Sequence, residues 1–341
     1  MVRRLVVPLL LVPLLGLPET APKTQLVQCR MIWGRAPHSA YTDLIRFHDR
    51  WFCVFREGRM AASRDGAVRV LTSADGEMWV PASLLSLPDA DLREPKLSAT
   101  PDGRLLLNAE AMYQDSSGVR RRTLVWLSGD GREWTPPQPA SDPGVILYRP
   151  AWHLGRGYVM GYSAAGAAPL RLYTSTDGVK FTPHALEVPV PGEPTEASLL
   201  FLPNGASLSL VRREGTAPTA QLGKSRSPYR AWTWSDLTKT IAGPNLIHLP
   251  DGRILAAGRL VDDTVRTSLC WLDPEQETLT EFFALPSGGD TGYPGLAFHE
   301  GMLWVSYYSS HEGQAMIYLA KLKLPPAGDG KKAPRRLTFG E

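Results

Sequence analysis

The sequence predicts an all-β protein, and three observations carry the prediction. Helix-breaking residues are dense, with 31 Gly and 30 Pro among 341 residues, and neither type sits comfortably inside a helix. Aromatic residues are plentiful, at 10 Trp, 11 Tyr and 9 Phe, in a chain long enough to bury a large core. One pattern also recurs: an apolar strand, a tight turn, then a second apolar strand that ends in polar residues. Together these exclude a coiled coil, a helical bundle and a disordered polymer. The 37 basic and 34 acidic residues leave a formal charge of +3. That is too weak to point to nucleic acid, which needs a concentrated basic face.

The chain opens with an address. In residues 1–22, Arg3 and Arg4 precede a short apolar run from Leu5 to Leu17 that is interrupted by Pro8 and Pro13. The run is too short to span a bilayer and matches a secretory signal peptide, so a secreted or periplasmic protein is expected. No other apolar run is long enough for a membrane span. Cys29, Cys53 and Cys270 have no metal-ligand spacing, and an odd number leaves at least one free thiol. They read as buried structural cysteines.

Six units follow in order, over residues 41–58, 94–111, 149–163, 196–215, 243–259 and 293–310. A repeat of about 50 residues suits a four-stranded propeller blade. Pro101-Asp102-Gly103, Pro203-Asn204-Gly205 and Pro250-Asp251-Gly252 supply the positive φ that a hairpin turn requires between the first two strands. A second motif lies further out: TSADGEMW (72–79), LSGDGREW (127–134) and TSTDGVKF (174–181). Its Asp is expected to accept backbone N–H bonds across a turn while the aromatic residue packs beneath. The sixth unit lacks a fourth strand, whereas Gln25 to Trp33 belongs to no unit. The expected fold is therefore a six-bladed β-propeller over residues 23–324, its last blade closed by the N-terminal strand, which removes an open edge. Residues 325–341 read as a disordered basic tail.

These motifs resemble the sialidase (neuraminidase) superfamily. The resemblance rests on the three S-x-D-G-x-x-W/F boxes and on VRREG (211–215), AGPNLIHLPDGR (242–253) and the long run from Leu285 to Gly313. It covers roughly residues 30–324. It implies an exo-glycosidase with a Tyr nucleophile assisted by a Glu, a separate Asp acid/base, and three Arg that hold a substrate carboxylate.

The innermost strand of each unit starts near the central channel, which makes Tyr41, Glu94, Arg149, Glu196, Gly243 and Tyr293 the residues expected to face it. By the resemblance, Tyr293 is the nucleophile and Glu196 its base. The carboxylate takes the phenol proton, and a phenol approaches an anionic sugar with less repulsion than a carboxylate does. Arg213 suits a carboxylate-binding arginine, Asp65 the acid/base, and Arg259 the third arginine. The family's first blade opens with an Arg, whereas this sequence has Ala40-Tyr41-Thr42-Asp43; Arg56 is the candidate substitute. Glu94, Arg149 and Tyr41 complete the expected substrate-binding set, and Glu94 with Glu196 is a second possible acid–base pair. A ring of mutually neutralising ion pairs explains part of the same cluster.

The histidines lack ligand spacing, so no metal is expected. Neither a nucleotide motif nor a serine-hydrolase elbow is present, and no cofactor is expected. The expected activity is that of a retaining glycosidase on an acidic or polar terminal sugar, acting as a monomer. The alternative is a propeller that binds carbohydrate or protein and has lost the chemistry.

Overall fold

A computed structural model describes residues 23–116, 118–166 and 168–327. The expected signal peptide and nearly all of the expected tail lie outside these residues. The described chain is all-β. It begins with β1 (Gln25–Trp33). A four-stranded antiparallel sheet follows, of β2 (His38–Phe47), β3 (Arg50–Gly58), β4 (Ala67–Ser73) and β5 (Val80–Leu85). The next holds β6 (Ala90–Ala99), β7 (Leu105–Asp115), β8 (Gly118–Ser128) and β9 (Gln138–Pro139). In the third, β10 (Val145–Leu147) and β11 (Ala151–His153) both pair with β12 (Arg156–Ser163), followed by β13 (Leu170–Ser175) and β14 (Thr182–Val188).

A seven-stranded sheet comes next: β15 (Glu193–Phe201), β16 (Ala206–Glu214), β17 (Thr219–Arg226), β18 (Trp232–His248), β19 (Ile254–Val261), β20 (Val265–Asp273) and β21 (Thr278–Ala284). The first part of β18 pairs with β17, and from Ile241 onward it pairs with β19, so one strand serves two ladders. The last sheet runs β22 (Thr291–His299), β23 (Met302–Ser309), β24 (Met316–Lys323), then β1, which pairs antiparallel with β24.

The apolar residues of these strands meet between ladders that are consecutive along the chain. Phe52, Val54, Leu107 and Trp126 fill the space between the first two sheets. Leu208, Leu222, Ile241 and Ala256 fill the space between the two halves of the seven-stranded sheet. Trp33, Trp51, Tyr308 and Ile317 join the last sheet to the first. Ladders buried on both faces explain why so many strands read as continuous apolar runs rather than alternating ones.

The three outer motifs adopt one hydrogen-bonding scheme. The Asp75, Asp130 and Asp177 Oδ1 atoms each accept two backbone N–H bonds, at 2.7 to 3.1 Å. Ser73, Ser128 and Ser175 Oγ each accept the glycine N–H at 2.8 to 3.0 Å. Those glycines lie against Trp304 on the last sheet, Phe52 on the first and Leu106 on the second. The motif thus tethers neighbouring sheets, and none of its residues faces the centre.

At the centre, five inner strands share one irregularity. The register shifts between Ala40 and Asp43, Arg93 and Lys96, Pro194 and Ala197, Ala242 and Asn245, and Gly292 and Gly295. The sixth inner segment is broken into β10 and β11 around Tyr148, Arg149 and Pro150. Each bulge leaves two residues facing one, which re-aims side chains away from the sheet. Side chains then latch several of the inner strands to a neighbour. Asp43 Oδ2 accepts from Leu97 N at 2.8 Å, Asn245 Nδ2 donates to the Pro294 carbonyl at 3.0 Å, and Thr42 Oγ1 donates to the Tyr293 carbonyl at 2.9 Å. The Tyr293 and Pro294 carbonyls so satisfied are groups that a bulge freed.

Candidate active site

The bulges place the site. Tyr41, Glu94 and Tyr293 each occupy the first unpaired position of a bulge, with φ of 62°, 48° and 49°. A left-handed conformation costs a side-chain-bearing residue about 1–2 kcal/mol, and strain of this kind gathers at functional sites. Glu196 sits one position further along its own bulge, at 3% exposure.

Tyr293 and Glu196 meet. Tyr293 Oη donates to Glu196 Oε1 at 2.6 Å. Arg212 Nη1 donates to the same carboxylate oxygen at 2.7 Å and to Tyr293 Oη at 3.2 Å. The Gly243 N–H donates to Glu196 Oε2 at 2.6 Å. Burial, with the charges of Glu196 and Glu94, pushes the Tyr293 phenol well above its ordinary value. The phenol therefore stays protonated at neutral pH. The Tyr41 ring packs edge-on to Tyr293, with centroids 4.8 Å apart, and its hydroxyl accepts from Arg93 Nη2 at 3.0 Å.

Gly243 is required by this arrangement. It has φ of +61°, and a Cβ there would lie 2.6 Å from Tyr293 Cγ and 2.9 Å from Tyr293 Cα. Gly243→Ala is expected to lower the urea-unfolding midpoint, at a cost of about 1–2 kcal/mol from backbone conformation alone and more from the push on Tyr293.

The remaining expected residues divide. Arg259 does reach the site: its guanidinium carbon is 5.6 Å from the Tyr293 ring centroid, and Nη1 is 3.6 Å from Asp290 Oδ1. Burial works to raise the Asp290 pKa, but hydrogen bonds from His38 and Tyr308 prevail and hold it below the ordinary carboxylate value. Arg149 lies at the strand break, where Nη1 donates to the buried Asp43 at 2.6 Å.

Arg213 corrects its expectation. It lines the cleft described below but has its donors tied to Asp236 Oδ2 at 2.5 Å and to the Thr219 carbonyl at 2.5 Å, while Arg212 takes the place beside Tyr293. Adjacent strand residues point to opposite faces, so a slip of one position exchanges them. Arg56 is corrected too. It is wholly buried, donates to Asp91 Oδ1 at 2.6 Å, and spends its remaining donors on the carbonyls of Met60 and Ser63. Asp65 stands on the turn above it, with a side chain 38% exposed and bonded to Arg59 Nε at 3.0 Å. Hydrogen bonds from Ser63 and Arg59 hold the Asp65 carboxyl below its ordinary value. It has no contact with Tyr293 or Glu196 among the described residues.

Sequence reasoning assigned no role to Lys96. It is 1% exposed, with Nζ 5.0 Å from the Tyr148 ring centroid and 5.7 Å from that of Tyr293. Burial and the charge of Arg149 bring its pKa down to about 8. The available signal was its place in Arg93-Glu94-Pro95-Lys96, the run of charged residues at the start of an inner strand.

A cleft of about 370 Å³ adjoins this centre, lined by Arg212, Glu214, Thr240, Arg259 and Gly289 among others. Arg212, which bonds Glu196 and Tyr293, and Arg259, which lies near the Tyr293 ring, both line it, together with Arg213. Among the described residues, no group of three or more His, Cys, Asp or Glu could hold a metal. No helix among them is long and apolar enough to cross a membrane. Cys29, Cys53 and Cys270 are all free, the last two buried.

No family model matches the sequence, and no curated protein matches it. Solved structures do match. A protein of unknown function from Dyadobacter fermentans is 19% identical with a TM-score of 0.79, over 89% of this chain and 100% of that one. An α-L-arabinanase from Penicillium chrysogenum, complexed with arabinobiose, is 15% identical with a TM-score of 0.69, over 90% of this chain and 100% of that one. A sialidase from Trypanosoma rangeli is 11% identical with a TM-score of 0.63, over 88% of this chain and 60% of that one. At such identities these likenesses speak to the backbone: the chain has an all-β, propeller-like fold of the kind found in these glycoside hydrolases.

Proposed function

We propose that the chain is a six-bladed propeller closed by β1, and that it is a retaining exo-glycosidase of sialidase-like type. The observation that carries this reading is the hydrogen-bonded set of Tyr293, Glu196 and Arg212 at a strained centre beside a basic cleft. Tyr293 Oη attacks the anomeric carbon while Glu196 takes its proton, and Arg212 holds the pair in line. Arg212 and Arg259 bind an anionic or strongly polar substituent of a terminal sugar through charge-assisted bonds. In this reading the protein acts as a monomer and is exported, residues 1–22 serving as the signal.

A second reading has one observation in its favour. Tyr41 stands where the resemblance implies an arginine, which suits a propeller that binds a glycan without cleaving it. Aryl glycosides of N-acetylneuraminic acid, glucuronic acid and L-arabinofuranose separate the two. Turnover of at least one, abolished by Glu196→Gln, is the expected result. No turnover across the panel, with retained binding of the free sugars, supports the binder.

A further inference from the structure

A retaining glycosidase needs an acid for the departing oxygen, and Asp65 is exposed and occupied by Arg59. The geometry points to Glu94 as that acid: it holds the bulge position in its strand that Tyr293 holds in its own, and its buried Oε2 has no hydrogen-bond partner among the described residues. The inference rests on the glycosidase reading above.

Three structural facts support it. Glu94 occupies the bulge position that Tyr41 and Tyr293 occupy in their own strands, with the same left-handed backbone, so all three side chains leave the sheet in the same sense. Its Oε2 is shielded from water and accepts no bond. Glu196, by contrast, accepts from Tyr293, Arg212 and Gly243. Two carboxyl groups in one site with opposite hydrogen-bonding environments are the arrangement that separates an acid from a base.

The charges around Glu94 agree. Arg93 and Lys96 lie on its own strand, and Glu110 on β7, Arg121 on β8, Tyr162 on β12 and Glu196 on β15, with Tyr148, Tyr41 and Tyr293, are the titratable groups that interact electrostatically with it. Glu110 is already engaged by Arg121. Burial and the like charges of Glu196 and Glu110 outweigh Lys96 and Arg93 and raise the Glu94 pKa to about 8. The carboxyl therefore carries its proton at neutral pH.

In the first step, the Glu94 proton goes to the glycosidic oxygen as that oxygen leaves with the electron pair of its bond to carbon. Tyr293 Oη bonds to the same carbon and its own proton passes to Glu196. In the second step, Glu94, now a carboxylate beside the Lys96 ammonium, takes a proton from water as the water oxygen bonds to carbon. The Tyr293–carbon bond breaks and Glu196 returns the proton to Tyr293. The sum is hydrolysis with retention.

The test compares wild type with Glu94→Gln, an isosteric change, on the 2,4-dinitrophenyl and phenyl glycosides of whichever panel sugar is cleaved. The dinitrophenolate leaves without protonation and phenoxide does not. We expect Glu94→Gln to lower kcat/KM for the phenyl glycoside by about 100-fold or more. The dinitrophenyl burst should stay within a few-fold, and azide should restore its turnover as glycosyl azide. In wild type, phenyl-glycoside kcat/KM should fall as pH rises through about 8, and this limb should vanish in the variant. The assignment is overturned if Glu94→Gln keeps phenyl-glycoside activity while Asp65→Asn loses it, or if the wild-type limb lies below pH 5. The glycosidase reading itself fails, and the assignment with it, only if wild type cleaves neither substrate for any sugar.

Discussion

Tyr293→Phe should lower kcat on the best aryl glycoside by a factor of about 10³ or more, equivalent to about 4 kcal/mol of transition-state stabilisation. The phenylalanine keeps the ring that packs against Tyr41 and removes only the atom proposed to bond to carbon. Glu196 retains Arg212 and Gly243 as donors, so the lost hydrogen bond should cost the fold only about 1 kcal/mol. A stability change of that size beside so large a kinetic loss separates chemistry from folding. Loss of both together would mean that Tyr293 is chiefly a structural residue.

The largest effect on stability is expected far from the chemistry. Arg56→Met should destabilise the protein by about 3 kcal/mol, because it removes the hydrogen-bonded partner of the buried Asp91 and leaves only the more distant Arg93, at 3.8 Å, to balance its charge. Arg56 and Asp91 are 0% and 1% exposed and 2.6 Å apart. The substitution also strips the Met60 and Ser63 carbonyls of their donor. Urea unfolding checks this through a lower midpoint at unchanged slope. The double change Arg56→Met with Asp91→Leu should recover much of the loss, since a well-packed apolar pair is often as stable as a buried ion pair.

The contrast between these two sites shows which signals in the sequence were readable. The strands, the hairpin turns and the three outer motifs were legible because their causes are local: patterning, positive-φ turn residues, and an Asp that bonds its own turn. Tyr293 and Glu196 were legible as a pair through the sialidase resemblance, once the repeat had marked both as the first residues of inner strands. Arg212 was missed in favour of Arg213 because a bulge decides which of two neighbouring arginines faces inward, and bulges leave no mark at the residue itself. Arg56 was misplaced because its partner Asp91 lies on the next sheet. The Arg64-Asp65-Gly66 turn drew attention for its carboxylate. Its structural role belongs to Gly66, which lies so close over Arg56 and Asp91 that a Cβ there would collide with both. The unbroken path of β18 from one ladder to the next was also invisible, because the units were read as separate strand pairs.

Whether Tyr293 forms the bond to carbon can be observed directly. The protein is incubated with fluorosugars that slow release of the intermediate, a 3-fluorosialyl fluoride and the 2-deoxy-2-fluoro dinitrophenyl glycosides of arabinose and glucuronic acid. Intact-mass and peptide mass spectrometry then locate any adduct. Labelling by one reagent at Tyr293, absent from Tyr293→Phe, is the expected result. A glycosyl adduct on Glu196 or Glu94, with Tyr293 unmodified, would contradict the assignment of Tyr293 as nucleophile.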